Sequence, residues 1–131
     1  MKKIGILNQS LSEVIAGMGH MDTLIIADAG LPIPLETQRI DLALTRGTPG
    51  FLETLRVVLE ELQVERAIVA GEMISNSALI YEQLQKMLPE IPIETISHTE
   101  LKNRTSSARA VVRTGEFTPY ANIILVAGVV F

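Results

Sequence analysis

Leu24-Ile25-Ile26-Ala27-Asp28-Ala29-Gly30 is the stretch that decides the fold. Its apolar run is short and rich in β-branched isoleucine, so it reads as a buried strand of the kind found in helix-covered sheets. Asp28-Ala29-Gly30 stops the run. Pro32 and Pro34 keep the following segment extended and irregular, because proline fixes its own φ and restricts the residue before it. Ala67-Ile68-Val69-Ala70, Ala110-Val111-Val112 and Ile123-Ile124-Leu125-Val126-Ala127 have the same character.

Working outward, the segments between these runs carry a different period. Leu11, Val14, Ile15 and Met18 recur at helical spacing, and Ser10 with Glu13 has the S-x-x-E spacing of a capping box. This predicts a helix that begins at Ser10 and ends at Gly17 or Gly19, with His20 in the turn before the first strand. Residues 40–44 read as a second strand, closed by the Arg46-Gly47-Thr48-Pro49-Gly50 turn. Over residues 51–62, Leu52, Leu55, Val58, Leu59 and Leu62 form one apolar face, with Glu53, Arg56, Glu60 and Glu61 on the other. Residues 75–88 read as a helix ended by Pro89, residues 91–96 as a strand, and residues 99–104 as a brief helix. Strands alternating with helices from end to end predict an α/β fold: a single layered domain over residues 1–131, its mostly parallel or mixed sheet covered by helices. Such sheets present ligands at the loops leaving their strands.

Composition narrows the function. The 131 residues are 47% hydrophobic and 20% charged, and the mean hydropathy is +0.32. A lone subunit of that composition leaves apolar surface in water, so a homo-oligomer is expected. A net charge of −4 gives no electrostatic footprint for nucleic acid or an anionic membrane. No segment reaches the roughly 20 apolar residues of a membrane span. The absence of cysteine removes disulfides, thiolate metal sites and a thiol nucleophile, and two histidines make a metal centre unpromising. With no apolar leader visible after Met1-Lys2-Lys3, a cytoplasmic location is expected.

Polar residues gather in four places: Gly19-His20 with Asp28-Ala29-Gly30, Glu72 with Asn76, Ser97-His98, and Arg113-Thr114-Gly115-Glu116-Phe117-Thr118-Pro119-Tyr120-Ala121-Asn122. Each has a purely structural reading beside the functional one. A histidine at a helix end commonly caps it or faces water. Asp28 suits a turn, His98 suits the cap of the helix after it, and Glu72 and Asn76 can pair across one helical turn. Arg113 and Glu116 can form a salt bridge that steadies a β connection. Yet that last loop puts a guanidinium, a carboxylate, a phenol and an amide just before a core strand, a set able to bracket several hydroxyls. Dinucleotide, phosphate-loop, nucleophile-elbow and zinc-helix motifs are all missing. What remains is acid/base chemistry by histidines and carboxylates on a polar, uncharged substrate, with no cofactor and no metal.

With these clusters placed, the chain resembles the D-ribose pyranase family, within the ribose and fucose mutarotases. The matching runs are Lys3-Ile4-Gly5-Ile6-Leu7-Asn8, Gly19-His20, Ile26-Ala27-Asp28-Ala29-Gly30-Leu31-Pro32-Ile33-Pro34, Ile40-Asp41-Leu42-Ala43-Leu44, the 113–122 run quoted above, and Ala127-Gly128-Val129. One departure is that similar proteins often read N-S-H-L where this chain has Asn8-Gln9-Ser10-Leu11. The resemblance implies an isomerase that interconverts the pyranose and furanose forms of D-ribose, supplying the furanose for phosphorylation by ribokinase. It also implies that His20 is the proton donor and that Asp28, His98, Tyr120, Ala121 and Asn122 contact the sugar. The implied assembly is a homo-oligomer of two stacked pentameric rings, a decamer, with sites near subunit boundaries. Opening a hemiacetal fits this chemistry, since an imidazole can accept and return a proton near neutral pH. Asp28 then serves as a hydroxyl acceptor or as the orienter of His20. The alternatives are an L-fucose-type mutarotase and a non-catalytic sugar-binding accessory protein.

Overall fold

The computed structural model describes residues 1–131. Its elements run α1 (Gln9–Gly17), β1 (Thr23–Ala27), β2 (Arg39–Asp41), α2 (Phe51–Leu59), β3 (Val64–Ala70), α3 (Gly71–Asn76), α4 (Ala78–Met87), β4 (Ile93–Ile96), α5 (His98–Arg104), β5 (Ala110–Arg113) and β6 (Ile123–Ala127). The strands form one sheet in the order β2-β5-β1-β6-β3-β4. β1 and β2 run parallel to β5, and β3 runs parallel to β4. β6 runs antiparallel to both its neighbours, β1 and β3. The expected α/β fold with a mixed sheet is what forms.

β1 shows why its sequence is apolar throughout. Successive strand residues point to opposite faces. Leu24 and Ile26 join a core with Leu11 and Val14 of α1, Phe51, Leu55 and Val58 of α2, and Leu84 of α4. Ile25 and Ala27 join a second core with Ile68, Val111, Ile124, Leu31 and Leu101 of α5. Both faces of the strand are therefore covered, and burying each large side chain contributes about 1.5–3 kcal/mol.

Three local expectations are revised. α1 is capped by Asn8, whose Oδ1 accepts the Leu11 amide at 2.9 Å, not by Ser10. Asparagine caps as well as serine does, and the Ser12 hydroxyl donates instead to Ile6 O at 2.8 Å, folding the N-terminal segment back onto the helix. The helix expected over 75–88 is two helices that break at Ser77 (φ −139°, ψ 48°). The buried Ser77 hydroxyl donates to Pro119 O at 2.6 Å, so a tertiary contact wins over helical periodicity there. The strand over 40–44 shrinks to β2 because the Asp41 carboxylate accepts the Ala43 amide at 3.1 Å and turns the chain.

The direction of the strands sorts the strand ends onto two edges of the sheet. Because β6 alone is reversed, the C-terminal ends of β1 to β5 share one edge of the sheet with the N-terminal end of β6. The start of β1, the start of β3 and the end of β6 share the opposite edge.

Candidate functional site

At the first edge, Asp28 follows β1 and Asn122 precedes β6, which puts residues 94 apart in sequence side by side. They form a reciprocal pair: the Asp28 amide donates to Asn122 Oδ1, and Asn122 Nδ2 donates to Asp28 Oδ2, each at 2.9 Å. Asp28 Oδ1 accepts the Gly30 amide at 2.9 Å. Asn122 is fully buried and Asp28 half-buried, so a buried amide fixes a carboxylate that still faces outward.

The loop leading to Asn122 is anchored along its length. The Thr114 hydroxyl donates to Ala27 O at 2.7 Å, and the Ala29 amide donates to Glu116 O at 2.8 Å. A side chain at Gly115 would collide with the backbone of Thr45 and Thr48, so only glycine fits that crossing. The Glu116 carboxylate accepts from the Thr118 hydroxyl (2.7 Å) and amide (3.0 Å), and from the Phe51 amide (3.2 Å) at the start of α2. Partial burial pushes the Glu116 carboxyl up, but those hydrogen bonds, with one from the Phe117 amide, outweigh it and hold the acid below the ordinary range. The Arg113–Glu116 salt bridge, the purely structural reading of this loop, does not form. Arg113 meets both oxygens of Asp41 at 3.2 Å and donates to Ala29 O at 3.0 Å, because the parallel β2–β5 pairing sets Asp41 opposite it.

Tyr120 has φ 61°. The left-handed region costs a non-glycine residue about 1–3 kcal/mol and persists only where its surroundings impose it. Here the Asn122 amide donates back to Tyr120 O at 2.8 Å, Ala121 is fully buried, and Ser77 holds Pro119. The Tyr120 ring meets His98 edge-to-face with centroids 5.0 Å apart. His98 is the first residue of α5, whose N-cap is Ser97. Its amide donates to both Glu72 carboxylate oxygens, at 3.0 and 3.2 Å, while Asn76 Nδ2 donates to the Glu72 carbonyl at 2.9 Å, so Glu72 and Asn76 do pair across one helical turn, through the backbone oxygen rather than the carboxylate. Glu72's own amide and that of His98 hold its carboxyl below the usual range. His98 Nδ1 is buried without a hydrogen-bond partner.

The structure thus brings together Asp28, His98, Tyr120, Ala121 and Asn122. A cleft of about 360 Å³ opens on the Asp28 side, lined by Asp28, Gly30, Arg113, Glu116, Phe117 and Thr118. His98, after β4, lies beyond β6 from it in the strand order, and Tyr120 packs on His98.

His20 is elsewhere. It precedes β1, at the opposite edge, and the five residues of that strand span about 17 Å at ~3.3 Å per residue. Asp28 therefore cannot orient His20 of the same chain. The His20 side chain is half exposed, and its Nε2 lies 2.8 Å from Glu65 Oε2. Glu65 carried no signal in the sequence, since an acid at the start of a strand is ordinary and its contact lies 45 residues away. Glu72 was visible in sequence, but its partner was not.

Among known proteins, the chain matches the RbsD / FucU transport protein family over residues 1–130. It is 61% identical over 131 residues, covering 100% of both chains, to a D-ribose pyranase of Coprothermobacter proteolyticus. The structure of Bacillus subtilis RbsD complexed with D-ribose superposes with a TM-score of 0.97 at 49% identity, again over 100% of both chains. A fucose mutarotase from Streptococcus pneumoniae in complex with L-fucose shares the fold, with a TM-score of 0.82 at 23% identity over 95% of each chain.

Proposed function

Because the chain belongs to the RbsD / FucU transport protein family, we propose that it interconverts the pyranose and furanose forms of D-ribose. The observation that carries this reading is the reciprocal Asp28–Asn122 pair beside the left-handed Tyr120 and His98. It offers a fixed carboxylate, a phenol and an imidazole at one sheet edge, directional partners for several hydroxyls of a neutral sugar. The 49% identical structure of RbsD with D-ribose supports the same substrate.

The reaction needs only protons. A base takes the proton of the anomeric hydroxyl, the C1–O5 bond breaks as C1=O forms, and O5 gains a proton. O4 of the open-chain aldehyde then attacks C1, loses its proton, and O1 regains one. Net composition is unchanged, and general acid/base catalysis contributes about 10²- to 10⁴-fold. In this reading Asp28, Tyr120 and His98 hold hydroxyls, Ala121 and Asn122 shape the floor, and His20 moves the proton.

His20 reaches the sugar only from an adjacent copy, since β1 separates it from Asp28 within one chain. The reading therefore includes a homo-oligomer with sites at subunit boundaries, in which the decamer of two pentameric rings is the expected form. Exposed Ile4, Leu7, Leu44, Leu79, Phe117 and Phe131 support subunit contacts. It also assigns the protein to the cytoplasm, where the furanose would feed phosphorylation by ribokinase. No helix is long and apolar enough to cross a membrane.

Saturation transfer between the ring-form NMR signals of D-ribose tests the activity. Catalytic amounts of protein should accelerate pyranose–furanose exchange. Binding without acceleration would replace the reading with a sugar-binding accessory role, and acceleration confined to fucose anomers would replace the substrate.

A further inference from the structure

His20 is held by more than its own turn. The antiparallel register between β3 and β6 pairs Val64 with Ala127 and then Arg66 with Val126, so Glu65 is the extra residue of a β-bulge. Bulges re-aim a side chain, and they recur beside active sites. Opposite the bulge stands Gly128, whose amide donates to Gln63 O at 2.9 Å. A Cβ on Gly128 would lie 3.0 Å from Glu65 Cβ, so the glycine leaves the room that Glu65 occupies.

The other half of the contact is built on the same strand end. Met21, directly after His20, has φ 71°; Tyr120 at the sugar edge is the only other non-glycine residue with positive φ. The Met21 amide donates to Ala127 O at 2.9 Å, and the Gly19 amide donates to Asp22 Oδ2 at 2.9 Å, which closes the turn around His20. Ala127 thus fixes His20 through Met21 and neighbours the bulge that aims Glu65. An ordinary surface ion pair needs no strained residue, bulge or glycine vacancy, and contributes little to stability.

We propose that Glu65 is the positioning residue for His20: its carboxylate accepts the Nε2–H of the imidazole and thereby commits Nδ1 as the atom that exchanges a proton with the sugar. A carboxylate only accepts, so at this 2.8 Å contact the proton of the neutral ring resides on Nε2 and the lone pair on Nδ1. When Nδ1 takes a proton from a sugar hydroxyl, the charged ring already faces a carboxylate. The inference rests on the reading of His20 as the proton-transfer group and adds the atom that acts and the residue that selects it.

The test uses the full-length protein in its native assembly. Long-range ¹H–¹⁵N NMR at mildly alkaline pH should find the neutral His20 ring protonated at Nε2, and a mixture of tautomers in Glu65→Ala. Ring-form exchange in Glu65→Ala should slow by about 10- to 100-fold with ribose affinity unchanged, by analogy with the loss when the carboxylate behind a metal-bound imidazole is removed. Glu65→Gln, whose side-chain carbonyl still accepts from Nε2–H, should recover much of the rate. A wild-type ring protonated at Nδ1 overturns the proposal. So does Glu65→Ala with wild-type exchange, or with rate and affinity lost in parallel. If Glu65→Ala fails to assemble, the wild-type tautomer and the Glu65→Gln rate decide. Wild-type exchange in His20→Gln would instead sink the reading on which the inference rests, whereas a slow His20→Gln beside a fast Glu65→Ala sinks the inference alone.

Discussion

Replacing Asn122 by alanine removes its two hydrogen bonds to Asp28 and leaves the carboxylate only the Gly30 amide. The backbone bond is a neutral one, worth about 1 kcal/mol, and the bond to the carboxylate about 1.5–3 kcal/mol. Asp28 is half-buried, so water replaces part of this, while the fully buried Asn122 site leaves a small cavity. The expected net loss is about 2–3 kcal/mol, which for a chain of this length lowers Tm by about 7–10 °C. Unfolding must be compared at one protein concentration, because assembly adds to apparent stability. A double-mutant cycle with Asp28→Ala isolates the pair, and its coupling should be about 1.5–3 kcal/mol. Ribose exchange, measured at matched folded fraction, should fall in both single variants. Effects that add to within about 0.5 kcal/mol would show that the two side chains do not hold each other, and the site would not be built as described.

Glu116 gives an acid-stability prediction. Its native pKa is lowered because hydrogen bonds outweigh the raising effect of burial, so its contribution is complete above the ordinary value near 4.5 and is lost as pH falls below it. Glu116→Gln should flatten that acid limb in pH-dependent denaturation and cost about 1 kcal/mol near neutrality through the weakened start of α2; an unchanged limb would contradict the assignment. Tyr120→Phe keeps the ring packed on His98 but loses the hydroxyl, so ribose affinity should weaken by about 0.5–1.5 kcal/mol with Tm unchanged. Calorimetry showing equal affinity would make the residue structural. Deleting residues 129–131, where Val130 and Phe131 are exposed, should reduce the mass in solution measured by light scattering; a variant of native mass would remove the tail from the subunit contacts.

Legibility in the sequence tracks the range of the interaction. The helical stripe Leu55-Val58 and the run Ile123-Ile124-Leu125 are decided by near neighbours, and both form as their spacing predicts. Ser77 departs from its helical pattern because its competitor for the helix is the Pro119 carbonyl, 42 residues on. Asn8 and Ser10 illustrate a tie between two good caps that contacts of Ser12 with the N-terminal segment resolve. Arg113 carried an obvious charge but found Asp41, because strand pairing rather than sequence proximity chose its partner.

Fold class, family resemblance and the polar residues worth attention are legible in the chain, since each depends on residue type and short-range spacing. That His20 and Asp28 lie at opposite ends of β1 follows from the strand between them, but tertiary structure alone decided that Tyr120 and Asn122 join Asp28 at one edge while Glu65 meets His20 at the other. That partition comes from the reversed direction of β6 between β1 and β3, which is fixed by hydrogen-bond ladders joining residues up to about a hundred positions apart. No local pattern encodes which end of a strand faces which.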